Sequence, residues 1–352
     1  MCCGGEVKGK ILALLGFYFF GMMVIILGYL GGFMRRIDER DVMFARMARR
    51  DGTVAYDEFY GRRPELRAGD DVLRMKGPMG DETAKFYEPL GSALVDGCFG
   101  FLGDIKGLVD GPERAAVKVV ADGSLFTDKI KEVAALYGAK VSGVAAYDAG
   151  YYYSHRGRMD AHYGEVVSGG LPYTFVFAVA MDSELIQTAP RVTESVAVTK
   201  GYIDAAVIGM VLTYWIKGMG YQARNHMDGN YLMVMPLAAK AAGLGDIGRH
   251  GLLITEDYGP RVRLGAVSTD LPLLVDGPSG FSVAEFCETC GVCARFCPAK
   301  AIDTGARSEV DGLARWLPVV QEKCFGKWQE FGSDCGLCLA RCPVGLNESV
   351  EK

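Results

Sequence analysis

The sequence predicts a layered α/β domain followed by a small cysteine-rich module, with one membrane helix ahead of both. Helix-like and strand-like runs alternate between residues 112 and 280, eight cysteines fall into two patterned runs after residue 286, and residues 11–33 carry no charge. A chain of 352 residues can build one large core and one small one without covalent staples. Its 50% hydrophobic content and mean hydropathy of +0.13 are high for a chain with no membrane segment. The net charge of -5 offers no basic field, so nucleic acid is not an expected partner.

Residues 11–33 are 23 uncharged positions, and a helix rising ~1.5 Å per residue covers the ~30 Å hydrocarbon layer at that length. The rival is a cleaved signal peptide, whose apolar stretch is shorter and ends in small residues, whereas Met34, Arg35 and Arg36 follow here. No twin-arginine pair precedes the run, and a retained single-pass anchor is expected. Lys8 and Lys10 stand before it, and Arg35, Arg36, Arg40, Arg46, Arg49 and Arg50 after it. This asymmetry places the bulk of the protein on the cytoplasmic side of the inner membrane. Cys2 and Cys3 are close enough to the bilayer for palmitoylation, free thiols being the plainer reading.

Residues 1–34 are therefore read as an anchor and 35–111 as an irregular arm, punctuated by Pro64, Gly69, Pro78 and Gly80. Residues 112–280 form the α/β domain and 281–352 the cysteine module. Within the α/β domain, 128–138 reads as a helix closed by glycine, 141–147 as a strand and 174–181 as a buried strand. A long apolar helix is expected over 202–217 and another over 235–242, followed by strands at 251–254 and 261–267. Gly243, Gly245 and Gly248 satisfy GxGxxG, but a dinucleotide loop needs a strand before it and a helix after it, the reverse of the order here. His155, His162, His226 and His250 read as surface or structural hydrogen-bonding groups, and Cys98 as a small hydrophobe.

The cysteines carry the chemistry. Cys287, Cys290, Cys293 and Cys297 are spaced CxxCxxCxxxC before Pro298, and Cys324 precedes Cys335, Cys338 and Cys342, spaced CxxCxxxC before Pro343. A zinc site wants two separated CxxC pairs and gives no reason for the third cysteine or the Cys-Pro endings. Disulfides belong to small secreted scaffolds, and this chain has core enough without them. The spacing resembles a two-cluster [4Fe-4S] ferredoxin, in which the fourth cysteine of each run crosses to the other cluster. That resemblance implies Cys287, Cys290, Cys293 and Cys342 on one cluster, and Cys324, Cys335, Cys338 and Cys297 on the other.

Asp38 to Asp41 leading to Met43–Arg46, then Gly243–Arg249, then Thr269–Pro272, then Phe286 ahead of the double cysteine run, resemble in order and spacing the corrinoid-dependent reductive dehalogenases. The resemblance implies a nitroreductase-like α/β core holding base-off cobalamin, fed by the two clusters, whose Co(I) form removes halide from an organohalide. It also implies a tyrosine proton donor at Tyr202 and a cation that stabilises its phenolate at Arg263. Arg261 lies two residues away on the same strand face and stays an alternative. Asn230 matches an asparagine found in some members, and Gly243 and Gly245 a close approach of backbone to the corrinoid's nucleotide tail.

The implied partners are a small organohalide, the bilayer, and an electron donor that is either membrane-bound (a quinol or an oxidoreductase) or a low-potential ferredoxin or flavodoxin. Epoxyqueuosine reductase resembles the chain in its corrinoid core and double cluster, but it carries an aspartate where Tyr202 stands. A membrane-tethered electron relay without corrinoid is the third reading, and the size of the α/β domain argues against it.

Overall fold

The computed structural model describes residues 36–310 and 313–346. The expected anchor at 11–33 and the pair Cys2 and Cys3 lie outside these residues.

Four strands form one antiparallel sheet in the order β1-β2-β6-β3: β1 is Val141–Ala146, β2 Tyr173–Ala180, β3 Ala223–His226 and β6 Val262–Thr269. Two short strands, β4 (Asp246–Ile247) and β5 (Leu253–Ile254), pair separately. Side chains alternate across the sheet. Val144, Phe175, Phe177, Val179 and Val267 face a core shared with the helices Gly123–Leu136 and Val192–Gly218. Ala145, Val176, Ala178 and Ala266 face a second core with the helix Met235–Ala241 and with Tyr152 and Tyr153. Both faces are covered, which is why β2 reads as an unbroken apolar run. Gly265 lies opposite Phe177, and a Cβ there would stand 2.4 Å from the Phe177 ring, so the strand pairing itself requires glycine.

The expected helices and strands of the α/β domain are present, with two differences. The long helix begins at Val192, ten residues before the expected start, and β3 was not anticipated. Val192, Thr193, Val196, Val198 and Thr199 are β-branched and weaken a helix in isolation. Burial of Val192, Val198 and Thr199 against the rest of the protein overrides that preference. Among the described residues this helix alone is long and apolar enough to cross a membrane, but 56% of its apolar stretch is buried inside the protein. It is the core helix.

The arm at 35–111, expected to be irregular, instead carries the helices Met43–Met47, Val54–Arg62, Pro64–Arg74 and Pro89–Ile105. Pro64 and Pro89 sit in the first turn of their helices, where the missing N–H is no loss. Thr53 caps Tyr56 N and Glu88 caps Leu90 N and Gly91 N. The glycines of Pro89–Ile105 allow close packing on the long helix: a Cβ at Gly91 would meet Val192 at 2.8 Å. The cysteine module contains the helices Ala284–Cys290, Val292–Phe296, Gln321–Phe331 and Leu337–Ala340.

Candidate active site and cluster module

The eight cysteines are free thiols in two neighbourhoods. Burial pushes Cys293 up to about 11, and the charges that add to it are those of Cys287 and Cys342. Cys342 is raised by burial and by Cys287 and Cys290. Burial likewise takes Cys324 up to about 12, with Cys335 and Cys297 adding, and Cys335 up to about 11, with Cys297 adding. Cys338 is raised well above the ordinary thiol range by burial, Cys335, Cys324 and Cys293. The thiols thus gather as Cys287, Cys290, Cys293 and Cys342, and as Cys297, Cys324, Cys335 and Cys338. These are the crosswise sets, and they abut at Cys293 and Cys338.

Each run contains a Cys-Gly-x-Cys turn with its glycine left-handed, Gly291 at φ +56° and Gly336 at φ +58°. Only glycine adopts that geometry freely. Two sets of four soft sulfur donors fit two [4Fe-4S] clusters. Among the described residues no three His, Cys, Asp or Glu side chains converge on a single metal ion.

Two buried arginines fasten the module to the α/β domain, a role the sequence did not signal. Arg249 donates to the carbonyls of Cys287, Glu288 and Asp303 at 3.1 to 3.3 Å. Arg261 donates to Leu339 O at 3.2 Å, Cys342 O at 3.0 Å and Val344 O. This engagement removes Arg261 from the choice between Arg261 and Arg263.

Arg263, opposite Val179 on β6, reaches Tyr202 on the long helix. Its Nη1 donates to Tyr202 Oη at 3.2 Å and its guanidinium lies 4.1 Å from the ring centroid. Gly201 permits the approach, because a Cβ there would stand 3.1 Å from Arg263 Cβ. Tyr202 sits in the third turn of the helix, not at its start. Burial pushes its phenol up to about 12; Arg263 opposes that rise, and Asp228, Tyr231 and Asp334 add to it. The phenol therefore holds its proton at neutral pH.

Behind Arg263 lie two carboxyls that sequence reading missed. Glu194 is fully buried with Oε1 unpartnered. Burial and Asp334 raise it well above the carboxylate range, against Arg263. Asp334 is raised to about 6 by burial, again against Arg263. Glu194 also acts on Cys335 and Cys338, so the Tyr202–Arg263 pair lies toward the Cys297 set. On the other side Arg158 bonds Asp228 and Tyr231, each at 3.1 Å.

Asn230 is engaged elsewhere: Oδ1 accepts from Arg156 at 3.0 Å and Arg224 at 2.8 Å, and Nδ2 donates to Lys106 O at 2.7 Å. It braces the loop, and from the same turn Asp228 and Tyr231 influence Tyr202 instead. His226 and His250 are buried and pushed down to about 3 and about 4 by that burial. They are neutral structural groups.

Gly243 and Gly245 make close approaches to the chain itself. A Cβ would meet Gly277 O at 2.6 Å and Ile254 O at 2.1 Å respectively. Packing alone therefore accounts for both. Gly245 also lines a cleft of about 150 Å³ with Lys240, Asp246, Ser279, Phe281 and Ser282. Its ammonium, hydroxyl and backbone groups suit a polar fragment such as a nucleotide tail.

Residues 286–346 match the family model of the 4Fe-4S dicluster domain, and the module carries two [4Fe-4S] clusters. The chain is 38% identical over 188 residues to tetrachloroethene reductive dehalogenase of Sulfurospirillum multivorans, covering 50% of this chain and 37% of that protein. It is 32% identical over 260 residues to the enzyme of that name from Desulfitobacterium hafniense, covering 60% and 47%. The matches thus span less than half the length of these relatives. A 30% match over 127 residues to epoxyqueuosine reductase of Lactococcus garvieae covers 34% of the chain.

Among solved structures, a catabolic reductive dehalogenase in complex with 3-bromo-4-hydroxybenzoic acid superposes with a TM-score of 0.67 at 24% identity, over 90% of this chain and 42% of that one. A second, described with a mechanism for B12-dependent dehalogenation, superposes at 0.63 and 23%, over 80% and 42%. The chain has the reductive dehalogenase fold.

Proposed function

We propose that this chain is an oxidoreductase that replaces the halogen of a small organohalide by hydrogen, using cobalamin and two [4Fe-4S] clusters. The observation that carries the reading is Arg263 lying over Tyr202 beside the Cys297 cluster set. The change R–X + 2 e⁻ + H⁺ → R–H + X⁻ needs one proton and two electrons. Cobalamin, when bound, supplies the low-valent cobalt that breaks the carbon–halogen bond. Tyr202 arrives protonated and passes its proton to the carbon, and the Arg263 guanidinium, already in contact with the hydroxyl, stabilises the phenolate left behind. The cleft at Lys240, Gly245 and Ser282 would hold the polar tail of the cofactor.

The names of the similar proteins support an organohalide, chlorinated ethene and halogenated phenol both being represented. The uncharged segment 11–33 supports attachment to a bilayer, with the domains divided at residues 34, 111 and 280.

The test is anaerobic purification in detergent with cobalamin supplied, then metal analysis and halide release from tetrachloroethene. About one cobalt and about eight iron per chain are expected. Eight iron with no cobalt and no halide release would leave an electron relay and overturn the reading.

A further inference from the structure

We propose that the surface around Cys290 is the docking site for an acidic, soluble one-electron carrier, which reduces the Cys287, Cys290, Cys293 and Cys342 cluster first. The direction of electron flow rests on the function proposed above; the surface itself does not.

The Cys297 set lies toward Tyr202 and Arg263 through Glu194 and Asp334. Electrons bound for that site therefore arrive through the other set, which abuts it at Cys293 and Cys338. Three members of this outer set, Cys287, Cys293 and Cys342, are buried, and Cys290 alone is part-exposed.

Phe286 and Phe296, on the two short helices that flank Cys290, are 46% and 51% exposed. Aromatic side chains left in water so close to a redox centre are the material from which interface cores are made.

Their surroundings are basic. Arg295 donates to Cys290 O at 2.6 Å, Lys300 to Arg295 O at 3.4 Å, and Arg341 lies 5.3 Å from the Phe296 ring centroid. Among the described residues none of these three cations forms an ion pair. Glu288 is neutralised by Arg307 at 2.8 Å, which leaves Glu285 as the opposing charge on these helices. The face is positive on a chain of net charge -5. A neutral quinol gains nothing from three unpaired cations, whereas an acidic carrier gains both orientation and encounter rate. Each encounter moves one electron: the carrier is oxidised by one, the cluster is reduced by one, and no bond is made or broken. Two encounters supply the pair that the reaction consumes.

The probe is an acidic plant-type ferredoxin, reduced and freed of excess reductant, mixed anaerobically with the full chain while bleaching of cluster absorbance is followed. The second-order rate should fall about tenfold between about 50 and about 500 mM salt. It should fall by a similar factor in an Arg295→Glu, Arg341→Glu variant, with iron content and reduction by dithionite unchanged. If Arg295→Glu loses iron, Lys300→Glu with Arg341→Glu carries the same test. A rate indifferent to salt and to charge reversal would overturn the proposal. So would a chain reduced by menaquinol in vesicles and not by the ferredoxin. The readout needs no cobalamin, so its failure is distinct from failure of the dehalogenase reading.

Discussion

Tyr202→Phe removes one hydroxyl and leaves the ring that Arg263 covers. The guanidinium 4.1 Å from the ring centroid keeps a weaker cation–π partner in phenylalanine, and the Phe99 ring, 5.9 Å away, keeps its neighbour. The lost contact is a single 3.2 Å hydrogen bond from a charged donor. Such a bond is worth at most about 1.5–3 kcal/mol, and less at a part-exposed residue, so stability should fall by under about 1 kcal/mol. A positioned general acid contributes about 10²–10⁴ in rate, or about 3–5 kcal/mol of barrier. Turnover should therefore collapse while folding barely changes. Because burial holds the phenol at about 12, the wild-type rate should show no alkaline limb from this group between about pH 6 and about pH 9. The assay is halide release under saturating reductant beside thermal unfolding and iron analysis. A variant with full iron, unchanged melting and turnover within about threefold of wild type would refute Tyr202 as the acid.

Gly201→Ala adds a Cβ 3.1 Å from Arg263 Cβ and 3.3 Å from Met181 Cγ. Helix propensity favours alanine by about 1 kcal/mol, so Tm should move little, while displacement of Arg263 lowers kcat; unchanged kcat would show the approach to be unimportant. Cys293→Ala should reduce iron from about eight toward about four per chain, and full iron would contradict the crosswise sets. Glu194→Gln should melt higher than wild type at pH 8 and converge with it toward pH 5. The folded pKa of Glu194 is raised, so its native form retains a proton that the unfolded chain gives up, and that favourable contribution is lost as pH rises through the folded pKa. Equal melting differences at both pH values would mean that Glu194 is charged in the native state.

The elements of the α/β domain were legible because burial writes itself into local pattern. The unbroken apolar run of β2 follows from cover on both faces, and the CxxC spacings follow from the reach of a cluster ligand along a few bonds. The arm was misread because Pro64 and Pro89 were taken as breakers. A proline begins a helix or ends one according to where the turn falls, which local sequence does not settle. The early start of the long helix was hidden for the opposite reason: β-branched residues there argue against helix until tertiary burial outweighs them.

By itself, the sequence determined the cluster chemistry and the alternation of the core, because ligand spacing and side-chain periodicity are local quantities. It named Tyr202 and Arg263 only through resemblance, and it left Arg261 and Asn230 in contention. The tertiary structure separated these residues. It turned Arg261 onto the carbonyls of the cluster module, tied Asn230 to Arg156, Arg224 and Lys106, and placed Arg263 against Tyr202 across 61 residues of chain. Glu194 became significant only when the same packing buried its carboxylate beside Gly336 and Arg263. An arginine's role depends on which acceptors lie within reach of its guanidinium, and a carboxylate's proton on what surrounds it. Both are set by elements distant in sequence.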